Sequence, residues 1–198
     1  MRNLNLQRVL MIAAGLLVVM IPQAAKAQLN STAGTVTLNA TLAETLTVSV
    51  TGGAAVNFTL APNAAANAGS TTSTIQTAWV LSAGRTKVAV WAWVPNGAAA
   101  LTDGTNNIPA SAVSATATGS GSAGGALNTS ISGGAGVPAF VTPAAATGVQ
   151  IGNVTITAAN KASNTTTTLT WNINTTGIPQ LPASSYTGTV NIQAQATP

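Results

Sequence analysis

The stretch Gly34–Thr51, GTVTLNATLAETLTVSVT, decides the fold class. Taking every second residue from Val36 collects Val36, Leu38, Ala40, Leu42, Glu44, Leu46, Val48 and Val50, seven of eight apolar. The other register, Thr35 to Thr51, is polar at eight of nine positions, with Ala43 as the exception. A period of two over this length means extended chain with one face buried and one face wet. A single strand of that length would run roughly 55 Å, about three times the usual extent. The run is therefore expected as two pieces, divided near Ala43 and Glu44, where the apolar register takes its only charge. The second piece belongs to a sheet of its own chain. The first, Thr35–Leu42, is free either to do the same or to join a neighbour's sheet.

Upstream of this run lies a segment with the pattern of an export signal. Arg2 and Arg8 precede an uncharged apolar run, Val9–Ile21, followed by Pro22 and the small-residue site Ala25-Lys26-Ala27. The spacing predicts a secretory signal peptide over residues 1–27 and a mature chain from Gln28. The apolar run is shorter than the roughly 20 residues a membrane span needs, so no integral membrane span is expected after cleavage. The formal charge of +4 is largely the signal's. Past it remain Arg85, Lys87 and Lys161 against Glu44 and Asp103, which implies no nucleic-acid partner. With no cysteine, no disulfide framework exists, and stability must come from sheet pairing and core packing.

Working outward, further runs alternate. Val56, Phe58 and Leu60 predict a short strand ending at Pro62, and Thr74–Leu81 places Ile75, Thr77, Trp79 and Leu81 on one side. Ser82–Arg85 predicts a hairpin connection into Thr86–Val94. Residues 95–147 are rich in Gly, Ala, Ser and Thr, with short apolar patches at Ile108, Val113, Leu127, Ile131 and Phe140-Val141 that predict brief strands. Val149–Ala158 alternates with a slip at Gly152-Asn153, the mark of a β-bulge. Thr165–Asn174 presents Thr167, Leu169, Trp171 and Ile173 on one face. The last strand, Tyr186–Ala196, turns Tyr186, Gly188, Val190, Ile192, Ala194 and Ala196 inward. No stretch past the signal has helical spacing. The expected fold is all-β, an antiparallel Greek-key, Ig-like β-sandwich over residues 44–198 with a loose middle, preceded by an N-terminal extended segment at 28–43.

The chemistry available is narrow. The chain has no histidine or cysteine, so the common general base, the thiol nucleophile and soft metal ligands are missing. Glu44 and Asp103 are the only carboxylate side chains, and each is better explained locally, Asp103-Gly104 by a turn and Glu44 by the strand break. The expectation is no enzyme, no cofactor and no metal. Trp79 and Trp171 fall in apolar registers and read as core. Trp91 and Trp93 lie on the opposite flank of their strand from Val88 and Val90, about 7 Å apart on one side, a spacing on which sugar rings stack. The competing account is that this strand is buried on both faces or lies under the middle segment. Seven Asn-x-Ser/Thr triplets are what an Asn- and Thr-rich chain produces by chance.

The ending Leu181-Pro182-Ala183-Ser184-Ser185-Tyr186-Thr187-Gly188-Thr189-Val190-Asn191-Ile192 resembles the final strand of the spore coat protein U family, related to the pilins of archaic chaperone–usher systems. The alternating N-terminal segment is similar to the donor strand of such subunits. The resemblance covers these two ends. It implies an incomplete Ig-like fold, completed by a strand from the next subunit and protected beforehand by a periplasmic chaperone. Val36, Leu38, Ala40 and Leu42 would then fill the neighbour's pockets. The family's disulfide has no counterpart here, and Ser184 stands where glycine is common. The expectation is an exported bacterial surface or fimbrial protein, self-polymerising in the periplasm, at the cell surface or outside the cell. The alternative is a monomeric secreted module that binds a glycan through Trp91 and Trp93.

Overall fold

The structure is a computed structural model that describes residues 31–119, 121, 123–131, 143–178 and 180–198. The expected signal peptide and the patch at Phe140-Val141 lie outside the described residues. Thr41–Pro198 forms one compact unit, and residues up to Ala40 fall in another. Of the latter, residues 31–40 are described. They carry no regular secondary structure, and their apolar side chains are open to solvent.

The larger unit is all-β, with two antiparallel sheets around one apolar core. Its strands are β1 (Thr45–Gly52), β2 (Asn67–Ala68), β3 (Ser73–Val80), β4 (Lys87–Val94), β5 (Leu101–Thr102) and β6 (Asn107–Ile108), then β7 (Val113–Thr118), β8 (Gly124–Ala126), β9 (Thr129–Ser130), β10 (Thr147–Thr155), β11 (Ala162–Ile173) and β12 (Asn191–Thr197). One sheet runs β1-β3-β11-β7-β8, with β2 also on β11; the other runs β12-β4-β10-β9, and β5-β6 is a separate small hairpin. The only helical turns among the described residues are 3-10 turns at Ala110–Ala112 and Ala158–Asn160, and no helix there is long and apolar enough to cross a membrane.

The division expected at Ala43–Glu44 falls where β1 begins, at Thr45. Inward registers follow the alternation. Ile75, Thr77 and Trp79 of β3 and Thr167, Leu169, Trp171 and Ile173 of β11 are all buried, because paired strands leave period-two faces no other way to leave water. The two indoles in this core are satisfied, Trp171 Nε1 donating to Ser73 Oγ at 2.9 Å and Trp79 Nε1 to the Asn160 carbonyl at 2.8 Å. The slip in β10 falls between Gln150 and Gly152, slightly earlier than the residue pattern suggests, and the extra residue, Ile151, is fully buried. Among the described residues of the middle segment, Ile108, Val113, Leu127 and Ile131 are buried, each within a short strand or next to the end of one.

One expected strand is missing. Val56–Leu60 makes only a single bridge, Phe58 to Gly69. Its backbone donors go to side chains instead of a ladder, Asn57 N–H to Ser70 Oγ at 3.1 Å and Ala61 N–H to Asn67 Oδ1 at 2.7 Å, and such local side-chain partners compete with sheet pairing.

Candidate functional site

The two flanks of the sandwich are built differently. On one, β8 ends the first sheet and the chain passes through Leu127, fully buried, directly into β9 at the border of the second sheet. That crossing seals the core. On the other flank stand β1 and β12. Among the described residues each has a single ladder, β1 with β3 and β12 with β4, so each presents one backbone edge that no described strand pairs.

Side chains on this flank carry the consequence. Leu46, Val48 and Val50 point inward on β1, yet the first two are only half-buried and Val50 is 44% exposed. Every residue of β12 is half-buried, including the inward Ile192, Ala194 and Ala196. Inward residues on the central strands are nearly all solvent-free. Apolar faces on two facing edges are therefore built for a core and left partly open.

The opening is a continuous cleft. A larger compartment of about 920 Å³ is walled by Val56, Phe58, Leu60, Ile178, Leu181 and Tyr186. A smaller one of about 240 Å³ reaches down to Val50, Ile75, Trp171, Val190 and Ile192. They share Ala54, Val56, Phe58, Leu101 and Gly188, so one runs into the other. Polar side chains also line it, among them Asn57, Ser184, Ser185 and Thr189, while Ser73 Oγ at its floor receives the Trp171 indole and donates to the Gly53 carbonyl at 2.7 Å.

Two turns shape the far end. The Thr102 and Thr187 backbones exchange hydrogen bonds at 2.9 and 3.0 Å, which ties the chain before β12 to the β5–β6 hairpin. Tyr186 donates its hydroxyl to the Pro182 carbonyl at 2.8 Å, and its titration is pushed up by desolvation and by nearby Asp103. Gly188 is required here, because a Cβ would stand 1.9 Å from the Ala100 carbonyl oxygen.

The near end is electrostatic. Ser82 N–H donates to Glu44 Oε1 at 2.7 Å, while Arg85 Nε and Nη2 each reach the same carboxylate at 3.3 Å. Arg85 Nη1 also donates to the Ala196 carbonyl at 3.4 Å. These bonds, the Arg85 guanidinium first, hold the Glu44 carboxyl down to about 2. Lys161 Nζ donates to the carbonyls of Ala83 and Arg85 and braces the Ser82–Arg85 connection, which crosses from β3 in one sheet to β4 in the other and is not the hairpin that the sequence suggested.

The remaining sequence candidates fall elsewhere. Asp103 accepts from the backbones of Thr105 and Asn106 and from the Asn106 amide, which holds its carboxyl well below the usual range and makes it a turn residue. Among the described residues no group of three or more His, Cys, Asp or Glu comes together. Trp91 and Trp93 lie on the outer face of β4, where Trp91 is buried with Ala89, Ile131 and Ala146 and Trp93 packs half-buried against them. Strand β4 is thus covered on both faces, and neither indole nitrogen has a hydrogen-bond partner among the described residues. The four donor-strand candidates divide between the two units. Val36 and Leu38 are 84% and 89% exposed and Leu42 is 82% exposed, with no ladder on any of them.

The cleft itself was not legible in the sequence. Val56, Phe58 and Leu60 alternate without pairing, and that mismatch appears only once the strands are assigned. Glu44 was legible as the lone charge in the alternating run, but its partner Arg85 is 41 residues away. No family model, no curated protein and no solved structure matches this chain.

Proposed function

We propose that this protein is an exported structural subunit that assembles by strand donation. In this reading Val36, Leu38, Ala40 and Leu42 of one copy enter the cleft of the next that opens past Val50 and Ile192 toward Phe58 and Tyr186. The observation that carries it is the pairing of two incomplete parts in one chain. One is a flank whose inward apolar residues stay half-exposed beside two unpaired edges; the other is an unpaired period-two segment whose large side chains are more than four-fifths exposed. An added strand supplies backbone hydrogen bonds to a free edge, and alternate side chains fill the pockets behind it. Before assembly the same cleft would need cover, and a periplasmic chaperone that lends a strand is the partner this chemistry suits. Burying a Val and two Leu side chains is worth on the order of 5–9 kcal/mol before the entropy of association is subtracted. Trp91, packed with Ile131 and Ala146, adds no support to a glycan reading.

Deleting Ser31–Leu42 tests the proposal. The expected result is loss of polymers with retention of the sheet signal in circular dichroism, because the deleted residues contribute no strand to the subunit. Polymers that persist in the deleted protein would overturn it.

A further inference from the structure

The few charged side chains of the sandwich are sorted to its two ends. Arg85, Lys87 and Lys161 gather with Glu44 at one of them. Lys87 opens β4 and lies opposite Thr155 and Thr197, the last residues of β10 and β12, while Lys161 reaches the Ala83 and Arg85 carbonyls just before it. Three cations against one carboxylate leave this end positive, and a further carboxylate at Pro198 would not reverse its sign. Asp103 stands at the other end. The 8 residues of β4 carry the chain from Lys87 to Val94, about 23 Å at the strand rise. Asn191 lies beside Trp93 near the end of that run, and Thr187, four residues farther out, is joined to Thr102. Among the described residues the one ion pair is Glu44 with Arg85, so neither Asp103 nor Lys87 has an opposite charge beside it.

The negative end is also the wide end of the cleft. Ser184 and Tyr186 line the larger compartment. The Ser184 hydroxyl helps to hold the Asp103 carboxyl low, and Asp103 in turn helps to push the Tyr186 hydroxyl up. The narrow end stops at Val50 and Ile192; from there β1 and β12 lie against each other toward the cationic end. On the donor side, Ala43 alone separates Leu42 from Glu44, and Glu44 is bonded into the cationic end. Two residues span at most about 7 Å. Wherever Leu42 sits in a neighbour, the cationic end of its own subunit follows directly behind it.

The two senses of strand entry are therefore unequal. With Leu42 at the wide end, the cationic end of the donor subunit meets the Asp103 turn of the acceptor. With Leu42 at the narrow end, it faces the side on which the acceptor's own cations lie. We infer that the Asp103 turn and the Arg85, Lys87 and Lys161 end are two halves of one contact between copies of this chain, formed beside the donated strand and selecting its sense of entry; this rests on the strand-donation reading. Lys87 is the cation available to Asp103, because Glu44 engages Arg85 and two carbonyls engage Lys161. Unlike ends that meet in this way make a heterologous contact, which repeats from copy to copy.

Thr105 is exposed in the Asp103 turn and lines neither compartment of the cleft. Thr105→Glu and Lys87→Gln each lower the net charge by one, so a change in general repulsion moves both variants alike. The contact requires opposite effects. In about 20 mM salt, labelled full-length subunits should join polymer ends roughly two- to fivefold faster with Thr105→Glu and slower by a similar factor with Lys87→Gln. Both differences should fade by about 0.5 M salt, where screening is short-ranged. Circular dichroism checks each fold, and Asp103→Asn, expected to slow elongation, replaces a variant that fails to fold. A labelled peptide of residues 31–42 carries the donor without the folded body, so its binding to free clefts at polymer ends should ignore both substitutions. Elongation that shifts the same way in both variants, or in neither, overturns the contact and leaves donation standing. Peptide affinity that follows the substitutions overturns it as well, since the charges would then act on the strand itself. A peptide that does not bind the folded parent overturns donation.

Discussion

Leu38→Ala separates assembly from folding. In the free subunit Leu38 is 89% exposed, so truncating it removes almost no buried surface and should leave the subunit's own melting temperature unchanged. Inside a neighbour's cleft the same side chain would be enclosed by apolar walls, and losing it should weaken each junction by about 2–3 kcal/mol. At about 1.4 kcal/mol per factor of ten, that is roughly a 30- to 150-fold faster exchange of subunits. Mixing polymers that carry two fluorophores and following energy transfer measures the exchange rate directly. Calorimetry of the monomeric fraction supplies the control. The reasoning is refuted if exchange is unaltered, and equally if the monomer loses stability by the same amount, since Leu38 would then be packed within its own subunit.

Two further predictions concern the subunit alone. Glu44 titrates at about 2 when folded against its ordinary 4.5, so its contribution is complete above pH 4.5 and is lost as pH falls toward 2. Asp103 acts with the same sign, so the informative quantity is the difference between the parent and Glu44→Gln, which should shrink across that window in melts taken at stepped pH; a constant difference would show that the ion pair carries none of it. Leu169→Ala, at a fully buried position of β11, should lower unfolding free energy by about 2–5 kcal/mol in denaturant titrations, and a loss below about 1 kcal/mol would mean this part of the core is not close-packed.

Much of the sandwich was legible from alternation, for a definite reason. A strand with one face on a core must place apolar residues two apart, and that holds whatever strand lies beside it. Hence the faces of β1, β3, β11 and β12 could be read from residues such as Ile75, Leu169 and Ile192. The same rule cannot say whether an edge is occupied. Val36–Leu42 and Leu46–Val50 share one pattern, yet only the second sits in a ladder. Val56–Leu60 alternates too, but Ser70 and Asn67 draw its amides away from any sheet. Trp91 lies on the face opposite Val88 and Val90 and is buried all the same, because Ile131 arrives from 40 positions along the chain.

By itself, then, the sequence determined the class of structure, extended strands with inward and outward registers; the hairpin it suggested at Ser82–Arg85 is instead a crossover from β3 in one sheet to β4 in the other. Tertiary structure alone decided that a cleft opens past Val50 and Ile192 toward Phe58 and Tyr186, and that Arg85 ties Glu44 to Ala196 where β1 and β12 lie close together. The division has a physical cause. Periodicity is a property of one strand against an apolar medium, whereas an unfilled edge is a property of two strands distant in sequence and of what does not lie between them.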